Sequence, residues 1–323
     1  MKILVTGGAG YIGSHTVKEL LRVGFETLIL DNFSSGRREL VPGGEVAEVE
    51  MMDLEAVKGV FKTHDIGAVL HFASLIRVGE SFLNPRKYYR HNLVTSLNLL
   101  EAMVEADVRV FVFSSSAAVY GEPREVPIPE SHPRNPINPY GQTKHFIEKV
   151  LEDYRRAYGL GSIALRYFNA AGADPDGSLG ELHEPETHLI PNILLSLHGR
   201  KPAFELYGTD FPTPDGSAVR DYIHVTDLAA AHVLALKKLL ASGKSDAFNL
   251  GTGRGYSVLE VMRKAEDITG LKLPTVLRPR RRGDVPILLA SKEKAERELD
   301  WKPSHSSLET IISTAWNWHS RRA

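Results

Sequence analysis

The sequence contains no cysteine, no long apolar run and almost no net charge, and each absence excludes a class of protein. Without cysteine the chain has no disulfide, no thiolate nucleophile and no zinc–cysteine or iron–sulfur site. A formal net charge of −1 provides no overall field to attract nucleic acid or an anionic membrane. Glycines interrupt the apolar N-terminal segment too early for a signal peptide or a membrane span. We therefore expect a cytoplasmic protein that binds neither nucleic acid nor membrane.

Two kinds of apolar periodicity alternate along the first half of the chain. Short runs rich in β-branched residues predict strands at 3–5, 27–30, 48–52, 68–72, 110–114 and 162–166. Apolar residues at helical spacing predict helices at 12–23, 93–106 and 141–158. Because strands and helices alternate, the pattern predicts an α/β fold with a Rossmann-like doubly wound parallel sheet.

The pattern loosens in the second half, where a segment rich in glycine, proline and acidic residues predicts a long loop at 172–188. Beyond it, the sequence predicts a helix at 189–197 and short strands at 203–207, 248–251 and 275–278. We expect a first domain of residues 1–171, to which residues 226–251 return. Residues 172–323 then form a smaller mixed α/β lobe.

A glycine-rich turn, TGGAGYIG, connects the first predicted strand to the first predicted helix. Glycine permits a tight turn, close approach of backbone amides to a pyrophosphate and close packing of the helix on the strand. The helix N-terminus then faces the negative phosphates. In this context of strand, turn and helix the motif predicts a dinucleotide site. Its residues are Gly7, Gly10, Tyr11, Ile12 and Gly13.

Polar residues follow the second and third predicted strands. Asp31 and Asn32 come directly after the second strand. A carboxylate there accepts hydrogen bonds from both ribose hydroxyls and repels a 2′-phosphate, which favours NAD over NADP. The nearby Arg37 and Arg38 weaken that preference. Asp53 is placed either to bind the adenine amino group or to cap a loop.

Tyr140 and Lys144 stand four residues apart in a predicted helix, so their side chains share one face. A free phenol has a pKa of about 10. A neighbouring ammonium and a positive nicotinamide both favour the phenolate, which makes Tyr140 a candidate general base near neutral pH.

The strand predicted at 110–114 runs directly into three serines, Ser114, Ser115 and Ser116. The carboxyl ends of strands border the ligand crevice of a doubly wound sheet. A hydroxyl at this point is therefore placed to hydrogen-bond the substrate oxygen that Tyr140 deprotonates. Capping of the following turn is the alternative role for one or two of the serines.

Together, the glycine turn, the serine-terminated strand and the Tyr140/Lys144 pair resemble the extended short-chain dehydrogenase/reductase family. Residues 71–73 (HFA) and 167–169 (YFN) match further landmarks of that family. Residues 78–81, 215–229 and 280–286 are similar to segments of its UDP-hexose epimerases. The resemblance extends in order over nearly the whole chain.

The resemblance implies an enzyme that interconverts UDP-glucose and UDP-galactose at C4, with tightly bound NAD and a transient 4-keto sugar. It implies that Tyr140 takes the 4-hydroxyl proton while hydride leaves C4 for NAD. The keto sugar then turns within the site and receives hydride on its opposite face. Ser116 is implied as the catalytic serine, and Lys144 as the partner of Tyr140 and a ligand of the nicotinamide ribose.

The resemblance also implies a set of binding residues. Besides the catalytic residues and the glycine turn, the implied NAD contacts are Asp31, Asn32, Asp53, Leu54, Phe72, Ala73, Ser74, Asn92, Ser114 and Tyr167. Besides Ser116 and Tyr140, the implied substrate contacts are Asn169, His188, Leu189, Tyr207, Arg220, Arg281 and Asp284. The two arginines are implied to hold the diphosphate, because guanidinium forks match paired oxygens. Asp284 is implied to bind the uridine ribose. For some of the dense arginines at 278–282, a solvated basic patch is the alternative.

The sequence departs from the family pattern at four positions. Ile76 stands where the family often has an NAD-binding lysine, and Arg77 beside it is a candidate replacement. His188 stands in place of a substrate-loop asparagine, and Ala118 in place of a threonine. Leu288 replaces a tyrosine that narrows the sugar pocket, so we hypothesise that UDP-N-acetylhexosamines are accepted as well.

Two further expectations concern metals and assembly. Residues 181–188 carry two histidines and three glutamates, but the family offers no metal and polar loop residues are the simpler explanation. We therefore expect no metal site. The family resemblance suggests a homodimer formed through the helices predicted at 93–106 and 141–158.

Three alternative functions remain on the same fold. A 4,6-dehydratase carries an Asp–Glu pair directly after the serine, where this chain has Ala117 and Ala118, which move no protons. Another nucleotide-sugar epimerase, such as a UDP-glucuronate epimerase, is excluded less firmly. A non-catalytic NAD-binding regulator usually lacks the tyrosine or the lysine, and this chain has both.

Overall fold

A computed structural model describes residues 1–281 and 283–322, so Arg282 of the arginine cluster lies outside the described residues. Thirteen strands and ten α-helices occur in these ranges. The strands are β1 Lys2–Thr6, β2 Glu26–Asp31, β3 Glu45–Glu48, β4 Ile66–His71, β5 Val110–Ser114, β6 Gly161–Tyr167, β7 Asn169–Ala171, β8 Phe204–Tyr207, β9 Val219–His224, β10 Asp246–Leu250, β11 Gly255–Ser257, β12 Thr275–Arg278 and β13 Ile287–Leu288. The helices are α1 Tyr11–Arg22, α2 Leu54–Thr63, α3 Val78–Leu83, α4 Pro85–Glu105, α5 Pro139–Tyr158, α6 Leu189–Leu197, α7 Val225–Ser242, α8 Val258–Thr269, α9 Glu293–Leu299 and α10 Leu308–Ser320.

The large sheet is parallel, with the strand order β10-β6-β5-β4-β1-β2-β3. Successive side chains of a strand point to opposite faces. In β1, Ile3 and Val5 therefore pack in a core with α1 and α7, whereas Leu4 packs in a second core with α2, α4 and α5. The predicted Rossmann-like doubly wound parallel sheet is confirmed.

The sheet has a topological switch point at β1, which lies between β2 and β4. Ligands of open α/β sheets bind at such a point, beyond the carboxyl ends of the strands. Here β1, β2, β4, β5 and β6 all end at the same edge. The strands end at Thr6, Asp31, His71, Ser114 and Tyr167. The glycine turn, Asp31 and the serine run thus meet at one edge of the sheet.

A smaller lobe faces this edge. Strand β9 pairs in parallel with β7 and β13 and antiparallel with β11, while β8 pairs with β12. Helices α6, α8 and α10 enclose a separate apolar core that includes Ile193, Val261 and Ile311. Between β9 and β11 the chain returns to the large sheet, where α7 packs on α1 and β10 pairs with β6.

The strand predicted at 48–52 is wrong in position, since β3 covers Glu45–Glu48. The Asn98 side-chain amide donates hydrogen bonds to the carbonyl oxygens of Met51 (3.0 Å) and Met52 (3.1 Å). These contacts hold the segment in a turn instead of a β-ladder. Contacts with a helix some 45 residues further along the chain are not visible in a local pattern.

One helix is longer than the sequence predicts, and several others have no predicted bounds. Helix α4 begins before residue 93, at Pro85, because the Asn84 side chain accepts the Lys87 N–H at 3.2 Å. Helices α2, α3, α7, α8, α9 and α10 were not delimited from the sequence. For α8 a readable signal existed, since Ser257 and Glu260 form a capping box.

Residues 172–188 contain no described helix or strand, as predicted for a loop. Part of this loop is buried, however, including Leu179 and Glu181. Among the helices that the structure describes, none is both long and apolar enough to cross a membrane.

Candidate active site

A cavity of about 1550 Å³ lies at the carboxyl ends of the large sheet, against the smaller lobe. A site for one drug-sized ligand occupies roughly 300–1,000 Å³, so this cavity has room for two ligands. The predicted site residues on its wall are Gly7, Gly10, Tyr11, Ile12, Gly13, Asp31, Asn32, Phe72, Ala73, Ser74, Ser114, Ser116, Tyr140, Lys144, Tyr167, Asn169, His188, Leu189, Tyr207, Arg220, Arg281 and Asp284.

The glycine turn forms a concave surface at the N-terminus of α1. Gly7 has a φ of +69°, and a Cβ there would lie 2.7 Å from the Ala73 nitrogen. A Cβ on Gly13 would lie 2.2 Å from the Gly7 carbonyl oxygen. Side chains are thus excluded next to the first-turn amides of the helix, which is the environment that a pyrophosphate requires.

Asp31 stands at the end of β2 on the wall of this cavity. Its carboxylate accepts hydrogen bonds from the backbone amides of Ala9 (3.0 Å) and Phe33 (2.9 Å), which fix its orientation. Burial raises its pKa, and these two hydrogen bonds oppose that effect. Acceptor capacity remains for ribose hydroxyls, because a carboxylate has about four lone-pair sites.

The two arginines near Asp31 are engaged elsewhere. Arg37 donates to the Glu184 carboxylate at 2.9 Å. Arg38 pairs with Glu48 and lies over an aromatic ring. Because neither guanidinium is paired with the ribose-binding carboxylate, this end of the cavity fits NAD better than NADP.

Three residues predicted to contact the cofactor, Asp53, Leu54 and Asn92, are not among the described residues that line the cavity. The Asp53 carboxylate caps α2 by accepting the Ala56 N–H at 3.0 Å, which is the loop-cap alternative. The Asn92 amide oxygen accepts the Leu75 N–H at 2.8 Å. Asp53 and Asn92 thus each hold a backbone amide, and the cofactor contacts of Asp53, Leu54 and Asn92 stay predictions.

Tyr140 is presented by the first turn of α5. Asn138 caps this helix by accepting the Gly141 N–H at 2.7 Å, and Pro139 occupies the first helical position. The Tyr140 side chain is 7% exposed. Burial raises the pKa of Tyr140 to about 12, against an opposing hydrogen bond with Ser116. Within the protein alone, Tyr140 is therefore a neutral phenol at neutral pH.

Lys144 lies one turn further along α5. Its ammonium nitrogen donates to the Ser114 carbonyl oxygen at 2.9 Å and lies 5.8 Å from the centre of the Tyr140 ring. Burial lowers the pKa of Lys144 to about 7. The two side chains share a face, as predicted. Burial is the largest influence on the pKa of Tyr140, so the groups of the protein alone leave the phenol neutral. A further positive charge in the cavity is needed to form the phenolate near neutral pH.

Two arginines converge on Asp284 in the smaller lobe. Arg281 donates to its carboxylate at 3.0 Å, and the guanidinium of Arg220 lies 4.0 Å from it. Arg278 and Arg280 instead pair with other exposed carboxylates. The solvated basic patch therefore describes Arg278 and Arg280, whereas Arg220 and Arg281 face the cavity.

Asn169 and Tyr207, which are also predicted to contact the substrate, lie on the cavity wall. The Asn169 amide donates to the Asp221 carbonyl oxygen at 3.0 Å, and the Tyr207 hydroxyl donates to Glu205 at 2.5 Å. Leu288 lies on the same wall, where it packs against the turn that follows the serines. No bulky ring fills the Leu288 position.

Residues 181–188 bring two histidines and two glutamates together at the cavity edge. The ligating atoms of Glu181, His183, Glu186 and His188 lie within 4.8 Å of one another. His183 hydrogen-bonds Glu181 at 2.9 Å, and His188 bonds the same carboxylate. Although burial opposes it, the charge of Glu181 raises the pKa of His188 to about 9. The cluster is therefore an ion-pair network with a protonated histidine facing the cavity.

Glu181 and Arg77 acquire positions that the sequence did not indicate. Glu181 is buried although it lies in a loop rich in acidic residues. The loop has no periodicity that would distinguish a buried glutamate from an exposed one. Arg77 donates to the Glu184 carbonyl oxygen at 2.9 Å. It ties the loop to the segment after β4, so its guanidinium is engaged in that contact.

The fold and this site are those of a family of NAD-dependent sugar enzymes. The chain belongs to the NAD dependent epimerase/dehydratase family, whose model matches residues 3–251. Its family resemblance is thus confirmed, and NAD is the cofactor of this family. It is 49% identical over 320 residues to UDP-glucose 4-epimerase of Lacticaseibacillus casei, covering 99% of this chain and 97% of that protein.

Solved structures agree with this assignment. The UDP-glucose 4-epimerase from Brucella ovis in complex with NAD is 47% identical, with a TM-score of 0.95 and coverage of 98% of this chain and 97% of that chain. The UDP-glucose-4-epimerase from Stenotrophomonas maltophila, with bound NAD and formylated UDP-arabinopyranose, is 40% identical, with a TM-score of 0.95 and coverage of 100% of both chains.

The glycine turn generates a first prediction. Gly13→Ala places a methyl group 2.2 Å from the Gly7 carbonyl oxygen, so we expect loss of bound NAD and destabilisation by about 1–3 kcal/mol. The matched control is Gly59→Ala in α2, where a Cβ meets nothing within 4 Å; it should be neutral or stabilising. NAD released from heat-denatured protein and urea unfolding provide the measurements. Full NAD content in Gly13→Ala would contradict the assignment of this turn.

The ion-pair network generates a second prediction. The pKa of His188 is raised from 6.5 to about 9 in the folded protein. Its contribution to stability is therefore complete below pH 6.5 and is lost as the pH rises through about 9. In Glu181→Gln the raising charge is removed, so the fall in the free energy of unfolding between these pH values should shrink. Glu184→Gln, at an exposed position of the same loop, is the control. An equal fall in Glu181→Gln and wild type would refute the pairing.

Proposed function

We propose that this protein interconverts UDP-glucose and UDP-galactose by inverting C4 of the sugar through a transient 4-keto intermediate. The observation that carries the proposal is a single cavity with a dinucleotide cradle at one end and two arginines at the other. Tyr140, Lys144 and Ser116 lie on the wall of the same cavity. The full-length similarity to UDP-glucose 4-epimerases supports this choice over the alternative epimerases.

The catalytic residues divide the work. Tyr140 takes the proton of the sugar 4-hydroxyl and later returns it, acting as general base and general acid. Ser116, which lines the same cavity near Tyr140, is placed to bond the same sugar oxygen. Lys144 keeps positive charge near the phenol. Bound NAD would supply a hydride acceptor and donor for C4, and the positive charge of its ring would favour the Tyr140 phenolate.

The binding residues divide between two lobes. Residues 1–171 with residues 226–251 hold NAD, and residues 172–323 hold the UDP-sugar. The glycine turn receives the NAD pyrophosphate, Asp31 the adenosine ribose and Lys144 the nicotinamide ribose. The remaining cofactor wall comprises Asn32, Phe72, Ala73, Ser74, Ser114 and Tyr167.

The substrate diphosphate meets a positively charged wall. Arg220 and Arg281 present guanidinium groups held by Asp284, and the protonated His188 adds a third cation. Asp284 also offers acceptors to the uridine ribose. Asn169, Leu189 and Tyr207 complete the contacts that we assign to the substrate.

Turnover of UDP-galactose is the decisive experiment. We expect the purified protein to carry NAD and to release UDP-glucose from UDP-galactose with no external cofactor consumed. Tyr140→Phe should retain NAD but lose about 10²–10⁴-fold in kcat, since it removes the proton acceptor. The control Tyr158→Phe changes an exposed tyrosine of the same helix and should be active. Wild-type protein that binds NAD without converting UDP-galactose would reject the proposal.

A second substrate class follows from Leu288, which lines the cavity where a bulkier ring would narrow it. We expect conversion of UDP-N-acetylglucosamine to UDP-N-acetylgalactosamine as well. Leu288→Tyr should lower kcat/KM for the N-acetylated substrate by about 10-fold or more, in line with one-group steric discrimination, and leave that for UDP-galactose within about 2-fold. Lack of any N-acetylhexosamine turnover in an active wild type would exclude this extension.

Assembly, location and metal content complete the proposal. Helices α4 and α5 lie side by side and expose large apolar side chains, namely Tyr89, Leu97, Phe146 and Tyr158. We assign this surface to a homodimer, which sedimentation can test.

We assign the protein to the cytoplasm, which cell fractionation can test. The cluster around Glu181 acts as an ion-pair network and not as a metal site, so dialysis against a chelator should leave turnover unchanged.

A further inference from the structure

Helix α5 and the end of β5 are joined by three contacts, one on each successive helical turn. Tyr140, Lys144 and Glu148 follow one another at intervals of four residues and therefore form a row on one face of the helix. Each meets a different serine of the run that ends β5. Ser116 lies near enough to Tyr140 to lower the pKa of the phenol, the carbonyl oxygen of Ser114 accepts from Lys144 at 2.9 Å, and the hydroxyl of Ser115 donates to Glu148 at 2.6 Å.

Glu148 is a buried carboxylate with a fixed orientation. It is 4% exposed. The Arg166 guanidinium on β6 donates two hydrogen bonds to this carboxylate, at 2.9 Å and 2.7 Å, and Arg134 donates a third at 2.8 Å. Burial opposes ionisation, but these cations outweigh it and lower the pKa of Glu148. The carboxylate is thus charged, rigid and bonded to Ser115.

The charge of Glu148 acts on Lys144 one turn away. Burial lowers the pKa of Lys144, and the charge of Glu148 opposes that effect. From β4, His71 faces Lys144 as a neutral ring, because burial lowers its pKa to about 3. From β6, Tyr167 presents a phenol whose pKa burial raises. Among the described charged groups around Lys144, Glu148 is therefore the one that favours its protonated form.

Other charged groups around Glu148 decide whether a substitution raises or lowers the pKa of Lys144. Arg166 faces it from β6, and Arg134 from the segment before α5. His145 on α5 lies close enough to feel both Glu148 and Arg134, and burial lowers its pKa. Removing the negative charge of Glu148 lowers the pKa of Lys144, whereas removing the positive charge of Arg134 raises it.

We propose that Glu148 is a positioning residue of the active site. Through Ser115 it fixes the serine run so that Ser116 meets Tyr140, and through its charge it keeps Lys144 protonated. This inference rests on the proposed epimerase function. In that function Lys144 must be protonated while Tyr140 is the phenolate that takes the sugar proton.

The pH profile of kcat tests the charge. Glu148→Gln keeps hydrogen-bonding groups for Ser115 and Arg166 but removes the negative charge. The alkaline limb of kcat should move to lower pH by about half a unit or more, with kcat at pH 8 lowered about 3-fold or more and KM within about 2-fold. Glu152→Gln, the same change at a more exposed position one turn further along, should match wild type.

Two variants that spare the buried ion pair between Glu148 and Arg166 test the same idea if Glu148→Gln does not fold. Arg134→Gln should move the alkaline limb to higher pH, the opposite direction. Ser115→Ala should lower kcat at every pH without moving the limb, because it releases the serine run and leaves the charge in place. The melting temperature and NAD content of each variant are recorded alongside.

The outcomes separate this inference from the function on which it rests. A wild type without UDP-galactose turnover rejects the function. An active wild type whose pH profile is unchanged in Glu148→Gln, or in Arg134→Gln if the first variant is unfolded, overturns the charge role. Wild-type kcat in Ser115→Ala overturns the positional role. A lower melting temperature with an unchanged profile and kcat shows that Glu148 only stabilises the fold.

Discussion

Tyr140 and Lys144 are buried side by side, and burial penalises the charged form of each. It raises the pKa of the phenol to about 12 and lowers that of the ammonium to about 7, which is the reverse of what proton abstraction needs. The rest of the site compensates for this burial. Glu148 supplies negative charge behind the ammonium, and under the proposed function bound NAD would add the positive charge of its nicotinamide ring in the same cavity. Exclusion of water then strengthens each of these interactions.

Topology brings these parts together from distant segments. Because all strands of the large sheet are parallel, the glycine turn, Asp31 and the serine run end at one edge. Helix α5 crosses that edge with its capped N-terminus, so Tyr140 faces the cavity. The smaller lobe closes the other side, and its loop is held to the first helix by the Tyr11 hydroxyl, which donates to the Gly172 carbonyl oxygen at 2.6 Å.

Local patterns in the sequence predicted the parts of the site that local geometry determines. The glycine turn and the Tyr140/Lys144 row depend on strand, turn and helix periodicity, which neighbouring residues specify. The partners of Arg37 and the burial of Glu181 depend on contacts between distant segments, since Arg37 and Glu184 lie 147 residues apart. The pKa of Tyr140 likewise depends on how completely the folded chain excludes water from the phenol. The spacing of residues in the sequence does not predict this burial. The capping role of Asp53 was one of two options that local sequence left open.

The large sheet is not built from a continuous stretch of chain. Its edge strand β10 and the covering helix α7 follow the strand β9 and helix α6 of the smaller lobe. A fragment that stops at residue 171 would leave β6 as an open edge and strip the apolar face around Leu165 of its cover. During synthesis, the core of the large sheet must therefore wait for residues 172–250, which include part of the smaller lobe, to leave the ribosome before it can close. The order of elements along the chain thus makes the two halves fold as one unit.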